Sequence, residues 1–84
     1  MLKNKIYTVD YCPYCKAALK FLDEHNVEFE HIKIDDDEEN MRQKLGEKYC
    51  IEGEVTVPQI ILNGEYIGGY TDMIKRYEQG ELKL

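Results

Sequence analysis

The chain has 84 residues, three cysteines and a formal net charge of -6 at pH 7. Its length suits a single domain over residues 1–84, with no room for a second hydrophobic core. The acidic balance argues against nucleic-acid binding, which needs a basic surface, and no apolar run is long enough for a membrane span or a signal peptide. We therefore expect a cytoplasmic chain with neither a nucleic-acid nor a membrane partner.

The first half of the sequence predicts two strands joined by a helix. Lys5–Val9 is almost entirely β-branched or aromatic, as in a strand that is covered on both faces. Pro13 is typical of a first helical turn, and Asn26 can end this helix in a left-handed conformation. The apolar stripe of the helix consists of Cys15, Ala18, Leu19 and Leu22. Phe29–Ile34 then alternates as a second strand, and a strand–helix–strand unit implies a parallel pair with a right-handed crossover.

The second half predicts a helix, a hairpin and a last helix. The acidic run Asp35–Glu39 opens a helix whose apolar residues recur every four positions, at Met41, Leu45 and Tyr49. The later elements are a strand at Val57–Leu62, a two-residue turn at Asn63-Gly64, a return strand at Tyr66-Ile67, and a helix from Thr71-Asp72 to Gly80. The order β-α-β-α-β-β-α predicts an α/β fold in which three helices flank a mixed four-stranded sheet.

Two of the cysteines form a C-x-x-C motif, Cys12-Pro13-Tyr14-Cys15, at the predicted strand-to-helix turn. The N–H groups and the dipole of the helix favour an anion there, so we expect Cys12 to ionise more readily than a free thiol, whose pKa is about 8.5. Lys16 adds a positive charge that supports the thiolate. Cys15 lies on the apolar stripe and should be shielded, whereas Cys12 precedes the helix and can face solvent. We therefore predict Cys12 as the attacking catalytic thiol and Cys15 as the resolving thiol.

A C-x-x-C pair can also be half of a zinc site, which needs about four ligands. The remaining candidate ligands are Cys50, His25 and His31, and they form no second close pair. Redox chemistry is therefore favoured, and no metal is predicted. Cys50 could be a regulatory thiol, but we interpret it as a small packed residue near a helix end.

Three separated motifs together resemble those of the dithiol glutaredoxins. They are Cys12-Pro13-Tyr14-Cys15, Thr56-Val57-Pro58 and Gly68-Gly69-Tyr70-Thr71-Asp72, within a resemblance from Ile6 to about Tyr77. The resemblance implies a monomer with a thioredoxin-like fold that takes part in electron transfer and cell redox homeostasis. It further implies a glutathione-dependent oxidoreductase that reduces protein–glutathione mixed disulfides and protein disulfides, with glutathione as co-substrate and no tightly bound cofactor.

The resemblance also implies the residues that contact glutathione. Pro58 is expected to be a cis-proline facing the cysteines, and it would leave the Val57 backbone to pair with an extended thiol peptide. The γ-glutamyl carboxylate would lie at the start of the last helix, where Asp72 would accept from the glutathione ammonium group. The implied contacts are Tyr14, Thr56, Val57, Pro58, Gly69, Tyr70, Thr71 and Asp72.

Two features depart from the family pattern. Val9 stands where many members have Lys or Arg. The loop before Thr56 is often partly basic in the family, but here it is acidic because it contains Glu52 and Glu54. Both changes remove partners for the glycine carboxylate of glutathione, although Lys16 or Lys48 could compensate. They motivate an alternative hypothesis, a thioredoxin-like protein that a reductase reduces without glutathione.

A third alternative is a carrier of an iron–sulfur cluster, shared between two chains through Cys12 and glutathione. Pro13 stiffens the turn within the motif and disfavours this arrangement.

Overall fold

The structure, a computed structural model, describes residues 3–51, 53 and 55–82. Its elements in chain order are β1 (Lys5–Thr8), α1 (Pro13–Glu24), β2 (Glu30–Lys33), a short 3-10 helix (Asp35–Asp37), α2 (Glu38–Lys48), β3 (Gln59–Leu62), β4 (Glu65–Gly68) and α3 (Tyr70–Glu78). The predicted order of strands and helices is confirmed.

The four strands form one mixed sheet in the order β2-β1-β3-β4. β1 pairs with β2 in parallel and with β3 in antiparallel orientation, so that Tyr7 lies opposite Gln59. β3 and β4 form an antiparallel hairpin. Its turn residues Asn63 and Gly64 have φ values of 56° and 79°, as a two-residue turn of this kind requires. The interior position of β1 explains its uninterrupted apolar sequence.

Successive residues of the central strands point to opposite faces of the sheet, and each face carries its own part of the core. On one face, Ile6 and Ile60 pack with buried residues of α1 and α3, such as Leu22 and Met73. On the other face, Tyr7 and Ile61 pack with residues that include Leu45 of α2. The helices therefore cover both faces of the sheet, and the carboxyl end of β1 leads directly into the cysteine motif.

Several boundaries differ from the predicted ones by one to three residues. The acidic run does not begin the α-helix itself: Asp35–Asp37 forms a 3-10 turn, and α2 starts at Glu38. β3 starts at Gln59 rather than Val57, because Pro58 has no N–H to donate to a strand ladder. α2 continues past Gly46, where a Cβ atom would lie 3.1 Å from Val55 Cγ2. Glycine at this position lets the helix approach the segment that leads to the site.

The described helices are all short. Within residues 3–51, 53 and 55–82, none of them combines the length and the apolar character that a membrane crossing requires.

Candidate functional site

Cys12 caps the amino-terminal end of α1 with its side chain. Its sulfur accepts a hydrogen bond from the Cys15 backbone N–H at 3.1 Å. Pro13 occupies the first helical position, where its missing N–H leaves no partner unsatisfied. The backbone N–H of Lys16 donates to the Cys12 carbonyl at 3.2 Å and closes the first turn. The sulfur therefore lies where helix N–H groups and the helix dipole stabilise negative charge.

The two sulfurs of the motif differ in accessibility, although less than the sequence predicted. The prediction that Cys12 faces solvent is wrong in degree, because only 7% of this residue is exposed, against 1% of Cys15. The Cys12 sulfur lies 3.6 Å from the Val57 carbonyl oxygen, so the segment before β3 contacts this side chain. Cys15 is almost fully enclosed, as its place on the apolar stripe of α1 predicted.

The surroundings of Cys15 disfavour its ionisation. Burial is the largest cause and raises the pKa of the Cys15 thiol to about 12. The hydrogen bond to Cys12 raises this pKa further, while the positive charge of Arg42 opposes the shift. Cys15 is therefore a protonated thiol near neutral pH.

The Lys16 side chain is exposed. The hydrogen bond that the structure records between Lys16 and Cys12 joins backbone atoms, so the effect of the Lys16 charge on the sulfur stays a prediction.

A cavity of about 430 Å³ opens beside the cysteine motif. Its lining consists of Tyr14, Thr56, Val57, Pro58, Gly69, Tyr70, Thr71 and Asp72. These are the eight residues that the resemblance implied, and the fold brings them together from three separate segments. Their contact with glutathione stays a prediction.

One wall of the cavity is the loop before β3. The Val57–Pro58 peptide bond is cis, as predicted. The Val57 carbonyl approaches the Cys12 sulfur, so the backbone of this loop lies directly beside that sulfur. A ligand with an extended backbone could pair with the loop as with a sheet edge while its own sulfur meets Cys12.

The opposite wall is the start of α3. The Asp72 carboxylate accepts a hydrogen bond from the Gly69 N–H at 3.1 Å through Oδ2. The first N–H groups of a helix have no intrahelical partner, so this end can hold an anionic group. Because Asp72 Oδ2 already serves as a cap, the second carboxylate oxygen remains for a ligand.

Gly68 is required for this geometry. Its φ is +113°, and a Cβ atom there would lie 2.7 Å from Asp72 Oδ2. Both the backbone conformation and the close approach of Asp72 therefore disfavour a larger residue.

Aromatic side chains border the cavity. Tyr14 is 62% exposed, and its ring centroid lies 6.2 Å from that of Tyr70. These two rings offer apolar surface to a substrate chain at the mouth of the cavity.

The structure describes some of the residues that depart from the family pattern. Val9 is buried in the core, on the α2 side of the sheet, and presents no polar group to the site. Lys48 places its ammonium nitrogen 5.4 Å from the Tyr49 ring centroid. Glu52 and Glu54 lie outside the described residues.

The other candidate metal ligands lie apart from the motif in distinct settings. Cys50 is exposed with φ at +54°, so its interpretation as a packed residue is wrong: it follows the end of α2 in a left-handed conformation. His31 Nε2 lies 2.5 Å from Thr8 Oγ1, and His25 Nδ1 lies 2.8 Å from the Phe21 carbonyl oxygen. No group of three potential metal ligands occurs in the described part of the chain.

A polar pair next to the site, the buried Gln59 and the partly buried Tyr66, was not predicted from the sequence. The Tyr66 hydroxyl donates to Gln59 Oε1 at 2.5 Å, and the Gln59 amide donates to the Thr56 carbonyl. A glutamine at the head of the otherwise apolar strand Gln59–Leu62 was the available signal, because buried polar side chains need partners.

Comparison with known proteins agrees with this geometry. The family model of glutaredoxin matches residues 4–67, more than half of the chain. Glutaredoxin-C4 of Arabidopsis thaliana is 38% identical over 82 residues, and the match covers 95% of this chain and 58% of the plant protein. Glutaredoxin 3 of Escherichia coli is 32% identical over 82 residues, and the match covers 98% of this chain and 94% of the bacterial protein.

The fold is also shared with solved structures. One of them is the complex of a buckwheat glutaredoxin with glutathione, with a TM-score of 0.82 and 23% sequence identity. The match covers 95% of this chain and 72% of the buckwheat chain. The likeness shows that the predicted thioredoxin-like fold is correct.

Proposed function

The chain belongs to the glutaredoxin family, a family of glutathione-dependent oxidoreductases, and from this premise we propose that it reduces protein–glutathione mixed disulfides with Cys12 as the nucleophile. The observation that carries the proposal is the position of the Cys12 sulfur. It accepts the Cys15 N–H at the start of α1 and lies 3.6 Å from the backbone oxygen of the loop that lines the cavity.

In the first step, the Cys12 thiolate attacks the glutathione sulfur of the mixed disulfide. A Cys12–glutathione disulfide forms, the old disulfide bond breaks, and the substrate protein leaves as a thiolate. A second glutathione thiolate then attacks the glutathione sulfur bound to Cys12. This step releases oxidised glutathione and restores the Cys12 thiolate, so one free glutathione is consumed for each protein thiol released, and the other half of the oxidised glutathione comes from the substrate.

For a disulfide between two protein cysteines, we propose that Cys15 resolves the intermediate. Cys12 forms a mixed disulfide with one substrate cysteine, and Cys15 loses its proton and attacks the Cys12 sulfur. The substrate leaves reduced, and the Cys12–Cys15 disulfide holds the two oxidising equivalents until glutathione reduces it. The raised pKa of Cys15 supports this order, because a protonated Cys15 does not compete for the first attack.

The cavity supports glutathione as the co-substrate. Glutathione carries a thiol between two peptide-like arms, with one carboxylate and one ammonium group on its γ-glutamyl arm. The loop beside Cys12 offers backbone groups to the central cysteine, the start of α3 offers N–H groups to the carboxylate, and Asp72 retains one oxygen for the ammonium group. The glycine carboxylate has no assigned partner, since Val9 is buried.

The test is turnover of a glutathionylated peptide with glutathione and its reductase, in a Cys50→Ser background that removes the exposed third thiol. We expect Cys12→Ser to lose roughly 100-fold or more of the activity, because a serine hydroxyl does not replace a thiolate nucleophile. Cys15→Ser should keep turnover within a few-fold of the parent, since Cys15 takes no part in this route. Turnover in Cys12→Ser equal to that of the parent would contradict the assignment.

A second measurement separates this proposal from the thioredoxin-like alternative. Oxidised protein is incubated with millimolar glutathione, and the Cys12–Cys15 disulfide is followed by alkylation and mass spectrometry. We expect reduction by glutathione alone. A disulfide that persists would favour a reductase as the electron donor.

Cytoplasmic location, a monomeric state and glutathionylated or disulfide-containing proteins as partners are parts of the same proposal. The close cysteine pair and the resemblance to the glutaredoxins support them at the level of sequence. Each stays a prediction.

A further inference from the structure

Gln59 lies at the first position of β3, directly behind the loop that borders the nucleophile. Only 2% of the residue is exposed, and its amide joins two groups of the site region. Its nitrogen donates to the Thr56 carbonyl at 2.5 Å, and its oxygen accepts from the Tyr66 hydroxyl at 2.5 Å. A buried amide with both ends occupied is held in one orientation.

The direction of these hydrogen bonds follows from the groups themselves. The Thr56 carbonyl can only accept, so Gln59 must present its NH2 group to it. The Gln59 oxygen then faces Tyr66, whose hydroxyl must donate. A flipped Gln59 amide would place its oxygen against the Thr56 carbonyl oxygen, and two acceptors cannot form a hydrogen bond. Only the unflipped orientation therefore satisfies both groups.

This arrangement fixes the peptide unit that joins Thr56 to Val57. A trans peptide is planar, and its C=O and N–H point in opposite directions. With the Thr56 carbonyl turned inward to Gln59, the Val57 N–H is turned away from Gln59. Val57 lines the cavity and contacts Cys12 through its carbonyl, so Gln59 determines how the loop backbone is presented to a ligand at the sulfur.

Tyr66 holds Gln59 in turn. Its ring stacks on Tyr49 with centroids 5.0 Å apart and an interplanar angle of 17°, which restricts the hydroxyl to the Gln59 side. Burial and then the Asp72 charge raise the pKa of Tyr66, so the hydroxyl keeps its donor proton throughout the neutral range.

We infer that Gln59 and Tyr66 are positioning residues for glutathione: they orient the Thr56–Val57 peptide unit so that its N–H can pair with the backbone of the glutathione cysteine. The inference rests on the proposed function and adds to it the side chains that set the binding geometry. Neither residue lines the cavity or contacts the Cys12 sulfur, so both act through the loop.

The test compares Gln59→Met, which keeps the side-chain length but loses both hydrogen bonds, with Tyr66→Phe, which keeps the ring on Tyr49. Both are made in the Cys50→Ser background. We expect the KM for a glutathionylated peptide to rise about 3- to 10-fold in Gln59→Met and about 2- to 5-fold in Tyr66→Phe. These changes correspond to the loss of one or two hydrogen bonds of ordinary strength. The kcat and the rate of Cys12 alkylation by iodoacetamide should change by less than about twofold.

Tyr77→Phe is the matched control, because it also removes a tyrosine hydroxyl, one that lies 3.3 Å from His25 Nε2. Its KM should equal that of the parent. In the double variant Gln59→Met/Tyr66→Phe, the KM should not exceed that of Gln59→Met, since Tyr66 acts only through Gln59.

The outcomes separate the inference from the proposed function. If the parent protein does not turn over the glutathionylated peptide, the proposed function is wrong. If the parent is active and both folded single variants keep its KM, or if their KM effects simply add in the double variant, the inference alone is wrong. Should Gln59→Met fail to fold, Tyr66→Phe against Tyr77→Phe still decides the question.

Discussion

Cys12 and Cys15 are three residues apart, and the difference between them comes from helical phase. The Cys12 side chain caps α1 and accepts the Cys15 N–H, whereas Cys15 lies in the first turn with only 1% of the residue exposed. Burial opposes the ionisation of Cys15 and raises its pKa, while Cys12 lies at the end of the helix. This placement supports the proposed division between Cys12 as the attacking thiol and Cys15 as the resolving thiol.

The raised pKa of Cys15 predicts slow alkylation of this thiol. In Cys12→Ser/Cys50→Ser, Cys15 is the remaining thiol, and burial, the largest cause of its shift, is unchanged. The loss of the Cys12 thiol removes the second cause of the shift, but burial still raises the pKa of Cys15 above its ordinary value. Less thiolate is then present at pH 8, so alkylation should be roughly 10-fold or more slower than for free cysteine. The logarithm of the rate should rise steadily with pH up to pH 10 without a plateau.

Two controls accompany this measurement. The same variant in denaturant should react like free cysteine, because unfolding removes the burial. Cys15→Ser/Cys50→Ser reports Cys12 alone under identical conditions. A plateau of Cys15 reactivity below pH 9 in the folded protein would show that its proton is not held as the structure requires.

At the scale of elements, the junction between β4 and α3 depends on one glycine. Gly68 combines φ at +113° with a Cβ position 2.7 Å from Asp72 Oδ2. We expect Gly68→Ala to lower the free energy of unfolding by about 2–3 kcal/mol, since it adds backbone strain and displaces the carboxylate that caps α3. Urea denaturation followed by circular dichroism measures this change.

Gly64→Ala provides the comparison for Gly68→Ala. Gly64 also has positive φ, at +79°, but no atom lies within 4 Å of its Cβ position. We expect Gly64→Ala to lower the free energy of unfolding by only about 1 kcal/mol, which is the cost of a positive φ for alanine. Equal losses in the two variants would mean that the contact with Asp72 does not contribute.

The elements themselves were largely predictable from local sequence. The stripe through Ala18 and Leu22 predicted α1, and Asn63-Gly64 predicted the hairpin, because each pattern has one favourable solution. The start of α2 was not predictable to the residue, since three consecutive aspartates support a 3-10 turn and an α-helix alike.

The candidate site was predictable to the extent that short motifs describe it. All eight predicted lining residues meet at one cavity. Two contacts between segments could not be predicted from the sequence. They are the contact between the Val57 carbonyl and the Cys12 sulfur, and the hydrogen bond between Gln59 and Tyr66. The latter depends on the β3–β4 register, which shifts between Ile60 and Ile61, a feature that hydrophobic pattern does not encode.

For the whole molecule, the dominant property beyond the fold is its charge of -6. Part of that charge lies close to the nucleophile. The Asp35 carboxylate accepts from the Asp10 N–H at 2.8 Å, two residues before Cys12, and Glu38 accepts from the Tyr11 hydroxyl. Lys33 pairs with Asp10, and Arg42 pairs with Glu38, so part of this charge is neutralised locally. From the remaining net negative charge we expect a potential that favours cationic and disfavours anionic substrates during encounter.

This field predicts opposite salt dependences for substrates of opposite charge. We expect the rate constant for reduced protein and oxidised glutathione, an anion, to rise several-fold between about 0.02 and 0.3 M NaCl, because salt screens the repulsion. The rate constant for cystamine, a cationic disulfide, should fall over the same range. Stopped-flow oxidation of the Cys50→Ser protein at pH 7 measures both.

Hydroxyethyl disulfide has no charge and serves as the matched reference, so its rate constant should change by less than about twofold. The three substrates share one chemical step, the attack of Cys12 on a small disulfide, and differ mainly in charge. If all three rates shifted together, salt would be acting on the reactivity of Cys12 itself, and long-range steering by the acidic surface would be wrong. A rate constant that rises with salt for the anion, falls for the cation and stays constant for the neutral disulfide would show that the protein distinguishes substrates by charge during encounter, before they contact the cavity.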